Sequence, residues 1–423
     1  MSTPPSLERK LGLTDAVVIG LGSMIGAGVF AAFTPAAQAA GNGLLIGLAV
    51  AAVVAVCNAL ASAQLAAVYP ESGGTYVYGR RVLSPWWGFV AGWSFVIGKT
   101  ASCAAMALTF AFYAAPTGWE RPVAVAAVVG LAAVNYRGVT RTAALTRVIV
   151  VVVLLALAVA VAAGGSVIGS AAGFAQQEDP GGLLAAGGYG ILQSAGLLFF
   201  AFAGYARIAT MGEEVRDPQR TIPRAIVIAL AITVLVYGLV AVTLLGVLGP
   251  DGVATSTAPL ADTIRASGWD WATPLVRVGA AAASLGALLA LIAGIGRTSL
   301  AMAREGDLPR WLAAVHPKFR VPHRAEVVLT VVVSLLVLTV DLRGAIGFSS
   351  FGVLLYYFVA NVAAFRLPAT ERLYPRALQV VGALACLALV ATLPPVAIAV
   401  GIGVLLIGVA ARVGLVRAAG RAS

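Results

Sequence analysis

The stretch Gly20-Leu21-Gly22-Ser23-Met24-Ile25-Gly26-Ala27-Gly28-Val29-Phe30 places four glycines within nine residues, in the middle of a long apolar run. Each glycine in a helix interior costs about 1 kcal/mol relative to alanine. In hydrocarbon, an opened turn persists only where its freed N–H and C=O groups meet protein, water or a ligand. The stretch therefore reads either as a binding site made of backbone or as a small-residue seam, through Gly22 and Gly26, for close helix packing. A second stretch of this kind, Phe199-Phe200-Ala201-Phe202-Ala203-Gly204-Tyr205-Ala206-Arg207, runs on towards Glu213-Glu214-Val215-Arg216-Asp217-Pro218. Between them lies Lys99, in Val96-Ile97-Gly98-Lys99-Thr100-Ala101-Ser102. A lysine inside a membrane span marks an ion path, a relay or a counter-charge; the plainer reading is a lysine that snorkels or pairs structurally. Gly98 and Ser102 lie beside it and are candidates to line a binding site, Ser102 about one turn on and able to reach a bound substrate.

The elements that must position these residues are membrane helices. Hydrophobic residues make up 60% of the chain and charged residues 11%, with a mean hydropathy of +0.96. Soluble domains carry about 25% charged residues. The expected fold is an all-α integral membrane protein, a single transmembrane domain over 1–423. Twelve spans are read, at 13–40, 43–68, 86–115, 122–136, 142–164, 185–212, 222–248, 272–303, 325–341, 345–367, 375–393 and 395–415. Each is near the ~20 residues a crossing needs, the fourth and ninth being short. The first follows Glu8-Arg9-Lys10 without a small-residue cleavage site and is expected to remain in the protein.

The net charge of +11 is distributed by loop rather than gathered for nucleic acid. Loops after even-numbered spans carry Arg80, Arg81, Arg137, Arg141, Arg147, Arg216, Arg220, Arg224, Arg304, Arg310, Lys318, Arg320, Arg324, Arg366, Arg372 and Arg376. The other side offers Arg121, Arg265, Arg277 and Arg343. Both termini are thus expected in the cytoplasm, with the protein in the plasma membrane. Trp86, Trp87, Trp269 and Trp271 read as interfacial anchors. Cys57, Cys103 and Cys386 fall in apolar segments, so neither a disulfide nor a metal cluster is expected. His316 and His323 read as solvated loop residues.

The two interrupted segments are five spans apart. An odd number of spans per repeat makes the halves run oppositely, and interrupted helices at matching places point to a transporter with inverted repeats.

At these residues the chain resembles the amino acid permeases of the amino acid–polyamine–organocation superfamily. Gly22 to Phe30 is similar to the family's first-helix signature, and Phe199 to Pro223 to its sixth-helix signature. Arg297-Thr298-Ser299-Leu300-Ala301-Met302-Ala303-Arg304-Glu305-Gly306-Asp307-Leu308-Pro309 is similar to the eighth-helix end and loop. The resemblance implies a LeuT-type core of five plus five helices (13–164 and 185–367), two further helices (375–415), and helices 1 and 6 broken at mid-membrane. It implies alternating access around a site between helices 1, 3, 6, 8 and 10. Amides near Ser23, Ile25, Gly26, Ala27 and Gly28 would receive a substrate carboxylate. Carbonyls of Phe200, Ala201 and Ala203, beside Phe202 and Gly204, would receive its ammonium, with Phe200 as an aromatic lid. The complementary ends of the two half-helices agree with this.

There are departures. Some proton-coupled relatives carry a lysine in the fifth helix where this chain aligns Val153, so the coupling ion stays open between H+ and Na+. Lys99 is one candidate; Ser284, near the Gly20 and Leu21 carbonyls, is another, for sodium. Several relatives have an acidic residue where Ala206 aligns here. Arg207, Glu213, Glu214 and Arg297 are candidates for an inner gate, or else a solvated loop.

With Lys99 and Arg207 near the site, a second positive charge on the substrate is disfavoured. The expected function is secondary transport of amino acids, neutral ones first, by symport or exchange. The alternatives are a polyamine or cationic amine transporter of the same fold, and a membrane protein that senses amino acids without moving them. A channel would need rings of like groups, and an enzyme a catalytic constellation that the chain does not display. No cofactor is expected. Monomer and homodimer are both open.

Overall fold

The computed structural model of the protein describes residues 11–70, 73–138, 143–169, 182–211 and 214–420. Among the described residues there are helices and turns but no strand; one isolated parallel bridge joins Leu11 to Val215. The first half contains α1 (Leu13–Met24), α2 (Gly28–Ala31), α3 (Phe33–Ala40), α4 (Leu44–Val68), α5 (Thr75–Tyr78), α6 (Pro85–Ala114), α7 (Glu120–Tyr136) and α8 (Ala143–Ile168). The second contains α9 (Gly187–Phe202), α10 (Ala206–Ala209), α11 (Pro218–Thr255), α12 (Pro259–Ala266), α13 (Thr273–Arg304), α14 (His323–Thr339), α15 (Leu342–Arg366), α16 (Arg376–Thr392) and α17 (Pro395–Gly420). Pro85, Pro218 and Pro259 open their helices, where a missing N–H costs nothing.

Among the described residues, eight helical stretches are long and apolar enough to cross a membrane, where twelve are read from the sequence. The difference lies in α7, α9, α14 and α16, which have 17, 16, 17 and 17 residues. At 1.5 Å per residue these reach about 25 Å, short of a hydrocarbon core of about 30 Å. The seventh span also differs from expectation. Its helix does not stop at Leu248 but kinks at Gly249 (φ 69°) and continues to Thr255. The following stretch forms α12, whose Leu260, Ala261, Thr263 and Ile264 are buried.

The thickest packing is around α6, which lies against α13 and α15. Small residues allow this: a Cβ on Gly352 of α15 would lie 2.8 Å from the Gly98 Cα. Without water to expel, helices in lipid associate through such close backbone approach. The helices α9 and α11 pack on α4, and α1 packs on α11.

At one end of the bundle a buried ion cluster ties three segments together. Asp307, 3% exposed, accepts from the Tyr76 hydroxyl (2.9 Å), Arg80 Nη1 (2.8 Å) and Arg412 Nε (2.7 Å). Arg80 also reaches Glu305 at 2.9 Å. The Arg412 guanidinium lies over the Trp86 ring at 4.2 Å, so Trp86 is a cation–π partner as well as an end-of-span aromatic. Burial and the Asp307 carboxylate raise the Tyr76 phenol above its ordinary pKa, so it stays a donor. Asp307→Ala leaves Arg412 buried without its carboxylate. It is expected to cost about 3–5 kcal/mol, read as a lowered thermal midpoint in detergent, whereas Asp251→Ala, at an exposed position, leaves the midpoint unchanged.

Candidate functional site

The first glycine stretch interrupts its helix. After Met24 the chain turns at Ile25 (φ −81°, ψ 50°), whose amide bonds to the Leu21 carbonyl at 2.6 Å, and α2 begins at Gly28. Gly26, Ala27 and Gly28 are buried. Among the described residues no backbone carbonyl accepts from their three amides. Buried amides without acceptors are rare.

The second stretch interrupts its helix opposite the first. α9 ends at Phe202, the Gly204 amide turns back to the Phe202 carbonyl at 2.7 Å, and α10 resumes at Ala206. The two interruptions touch through backbone. A Cβ on Gly204 would fall on the Ser23 carbonyl and the Met24 amide, and one on Gly28 would lie 2.6 Å from the Ala201 Cα. Tyr237 of α11 joins them: its hydroxyl lies 2.6 Å from the Met24 carbonyl oxygen and 3.0 Å from that of Ala201. One hydroxyl proton is thus shared between two carbonyls, one from each interruption. The Tyr237 ring packs on Phe202 at 5.0 Å and Phe33 at 6.5 Å.

Lys99, 8% exposed, donates from Nζ to the Ala203 carbonyl at 3.3 Å, and the Tyr357 hydroxyl approaches the same oxygen at 3.4 Å. The ammonium of α6 therefore occupies one of the carbonyls at the end of α9.

A family model described as amino acid permease matches residues 11–419. The chain belongs to the amino acid permease family. It is 60% identical over 408 residues to an uncharacterized transporter of Mycobacterium tuberculosis, covering 96% of this chain and 91% of that protein. It is 28% identical over 384 residues to cationic amino acid transporter 7 of Arabidopsis thaliana, covering 85% and 66%. With the branched-chain amino acid permease BcaP of Bacillus subtilis it shares 26% over 400 residues, covering 89% and 84%. Among solved structures, MhsT in complex with L-phenylalanine superposes with a TM-score of 0.63 at 13% identity, over 92% of this chain and 99% of that one. That likeness is one of fold, which is LeuT-type. The protein is a multi-pass membrane permease, not an enzyme.

The permease gathers many of the expected residues at the crossing: Ser23, Ile25, Gly26, Ala27 and Gly28 from one side, and Phe200, Ala201, Phe202, Ala203 and Gly204 from the other. Ser23 Oγ donates back to the Ile19 carbonyl at 2.9 Å, and Phe200 is 8% exposed. Gly20 packs against Ile208. The Leu21 carbonyl accepts from the Ile25 amide. Ser284 of α13 is fully buried with its hydroxyl unpartnered, and α13 passes Gly26 at Ala283 and Ala287. Gly98 and Ser102 face α15: Gly98 against Ser349 and Gly352, Ser102 Oγ 2.6 Å from Ser349 Oγ.

The inner-gate candidates are not brought into an ion pair among the described residues. Arg207 donates to Thr210 Oγ1 at 3.4 Å, Arg297 is exposed, Glu214 lies beside the Leu11–Val215 bridge, and Glu213 lies outside the described residues. His316 lies in the loop and His323 opens α14, and both are half-buried. They pack with Tyr136, the two imidazoles 5.5 Å apart.

Sequence reasoning missed Tyr237 and Tyr357. The available signal was that each is a phenol in an apolar run, whose hydroxyl must find a partner when buried. Tyr237→Phe removes the shared proton and leaves two buried carbonyls without that donor. It is expected to lower stability by about 1–3 kcal/mol and to weaken ligand-induced stabilisation, both read by thermal unfolding with and without ligand.

Proposed function

We propose that this permease is a secondary active transporter that carries neutral amino acids across the plasma membrane by alternating access, with both termini cytoplasmic. The observation that carries the reading is the crossing itself. Unpaired amides of Gly26, Ala27 and Gly28 lie on one side, and the Ala201 and Ala203 carbonyls on the other. Donors suit a carboxylate and acceptors suit an ammonium, so a zwitterion fits between them. In this reading residues 13–164 and 185–367 are the inverted repeats, 375–415 adds two helices, and the four short helices complete twelve crossings.

Neutral substrates are favoured because neither Gly20–Phe30 nor Phe199–Ala209 contains a carboxylate, while Lys99 places a positive charge at Ala203. A second amine on the substrate would meet that ammonium. The cationic alternative draws support from the Arabidopsis relative, and the branched-chain permease of B. subtilis supports the neutral one. Lys99 also supports proton coupling. A substrate ammonium and the charged lysine compete for the Ala203 carbonyl, so binding depends on the lysine's protonation, its proton exchanging with water of the transport pathway; Ser284 remains the sodium-side alternative.

The test is a thermal-shift panel of amino acids and amines on the purified protein, at two pH values with and without sodium, followed by uptake into proteoliposomes. A ligand at a hundredfold excess over its dissociation constant adds about 2.7 kcal/mol of apparent stability. Neutral amino acids are expected to stabilise and to be taken up. Stabilisation by amines alone would reverse the electrostatic argument, and binding without any flux would make the protein a sensor. Lys99→Met is expected to abolish the pH dependence of uptake while binding stays measurable. An unchanged pH profile in that variant would remove Lys99 from coupling.

A further inference from the structure

Away from the crossing, α7 and α14 lie side by side and leave a cavity of about 460 Å³ between them. Tyr136, Arg137 and Phe319 line one end, with Glu326 of the first turn of α14. Glu326 is 2% exposed; its Oε1 accepts from Asn135 Nδ2 at 2.8 Å, whereas its Oε2 is buried without a partner. An orphaned buried carboxylate oxygen is costly, the more so where the surrounding solvent is lipid. The transport site makes no use of it. Arg297 of α13 is the charged group that faces it from the neighbouring helix, and no ion pair between them forms. His323, one turn earlier, also has a buried ring nitrogen (Nδ1) without a partner.

The rest of the groove is apolar and open to the side. Val129 of α7 and Val327 and Val331 of α14 are 49%, 53% and 54% exposed. Val129 lies about 12 Å along its helix from Arg137, at 1.5 Å per residue. Arg137 is exposed at the end of α7 and has no carboxylate partner among the described residues. One end of the groove therefore offers a guanidinium and an unsatisfied carboxylate, and the rest offers hydrocarbon contact. That order matches a glycerophospholipid lying along the groove. The guanidinium suits a phosphate, and the carboxylate suits a headgroup cation with N–H to donate. A quaternary ammonium has no such proton, and a headgroup with net negative charge sets like charge against Glu326.

We propose that the α7–α14 groove binds one aminophospholipid, phosphatidylethanolamine, with its ammonium on Glu326 Oε2, its phosphate on Arg137 and an acyl chain along Val129, Val327 and Val331. The site is independent of the substrate reading and rests only on the protein being embedded in a bilayer. The test is native mass spectrometry of the purified full chain with phosphatidylethanolamine, phosphatidylcholine or phosphatidylglycerol of the same acyl chains. Wild type is expected to retain phosphatidylethanolamine about tenfold over phosphatidylcholine, the size of one charge-assisted hydrogen bond. Glu326→Gln is expected to erase that preference, and Arg137→Ala to weaken retention of all three lipids. Equal retention of the ethanolamine and choline lipids by wild type would overturn the proposal, as would a preference that survives Glu326→Gln. Wild type and Arg137→Ala, an exposed position, keep the test decisive if Glu326→Gln fails to fold. Unchanged retention in Arg137→Ala would overturn the phosphate contact.

Discussion

Backbone contact between two interrupted helices is the constraint on which the rest of this structure depends. Gly204 sits on the Ser23–Met24 peptide and Gly28 on Ala201, so that neither position has room for a side chain. An interruption in lipid has to satisfy its freed polar groups within the protein. Here part of that demand is met by Tyr237, which serves a carbonyl from each side. The amides of Gly26, Ala27 and Gly28 are left over. The same glycines that weaken the helix thus bring two sets of backbone dipoles together at one place. Around them, the small residues of α6 let α15 approach closely, and Lys99 of α6 and Tyr357 of α15 both reach the Ala203 carbonyl.

A buried lysine amine lies at the crossing of the two interruptions. Lys99 makes its contact to a carbonyl rather than to a carboxylate. In the function proposed above, that amine is what disfavours a cationic ligand. The ion cluster at Asp307 behaves differently. Its carboxylate is bonded by two guanidinium groups and a phenol, and it ties the α5 segment, the loop after α13 and α17 into one end of the bundle.

The parts of the site carried by local pattern were legible in the sequence. Glycines at Gly20, Gly22, Gly26 and Gly28 contradict the helix around them, and Lys99 contradicts its span, so both announced themselves. Tyr237 did not, because its partner Met24 lies 213 residues away and accepts through backbone, which no side-chain pattern records. Asp307 was hidden for the same reason: its three donors come from segments separated by 231, 227 and 105 residues. The count of spans was less legible than their order. Helices such as α7 and α14 fall short of a crossing by length, and only the bundle around them gives them a place. The packing of His316 and His323 on Tyr136 was not legible, because Tyr136 is distant in sequence.

The central claim is that one zwitterion joins the two interruptions, with its carboxylate on the amides and its ammonium on the carbonyls. Competition binding with a radiolabelled neutral amino acid tests this most directly, using analogues that each lack one charge: the amino acid amide and the deaminated carboxylic acid. Competition by the intact amino acid and by neither analogue is the result this account predicts. An analogue without the carboxylate, or without the amine, that competes as well as the parent would contradict it.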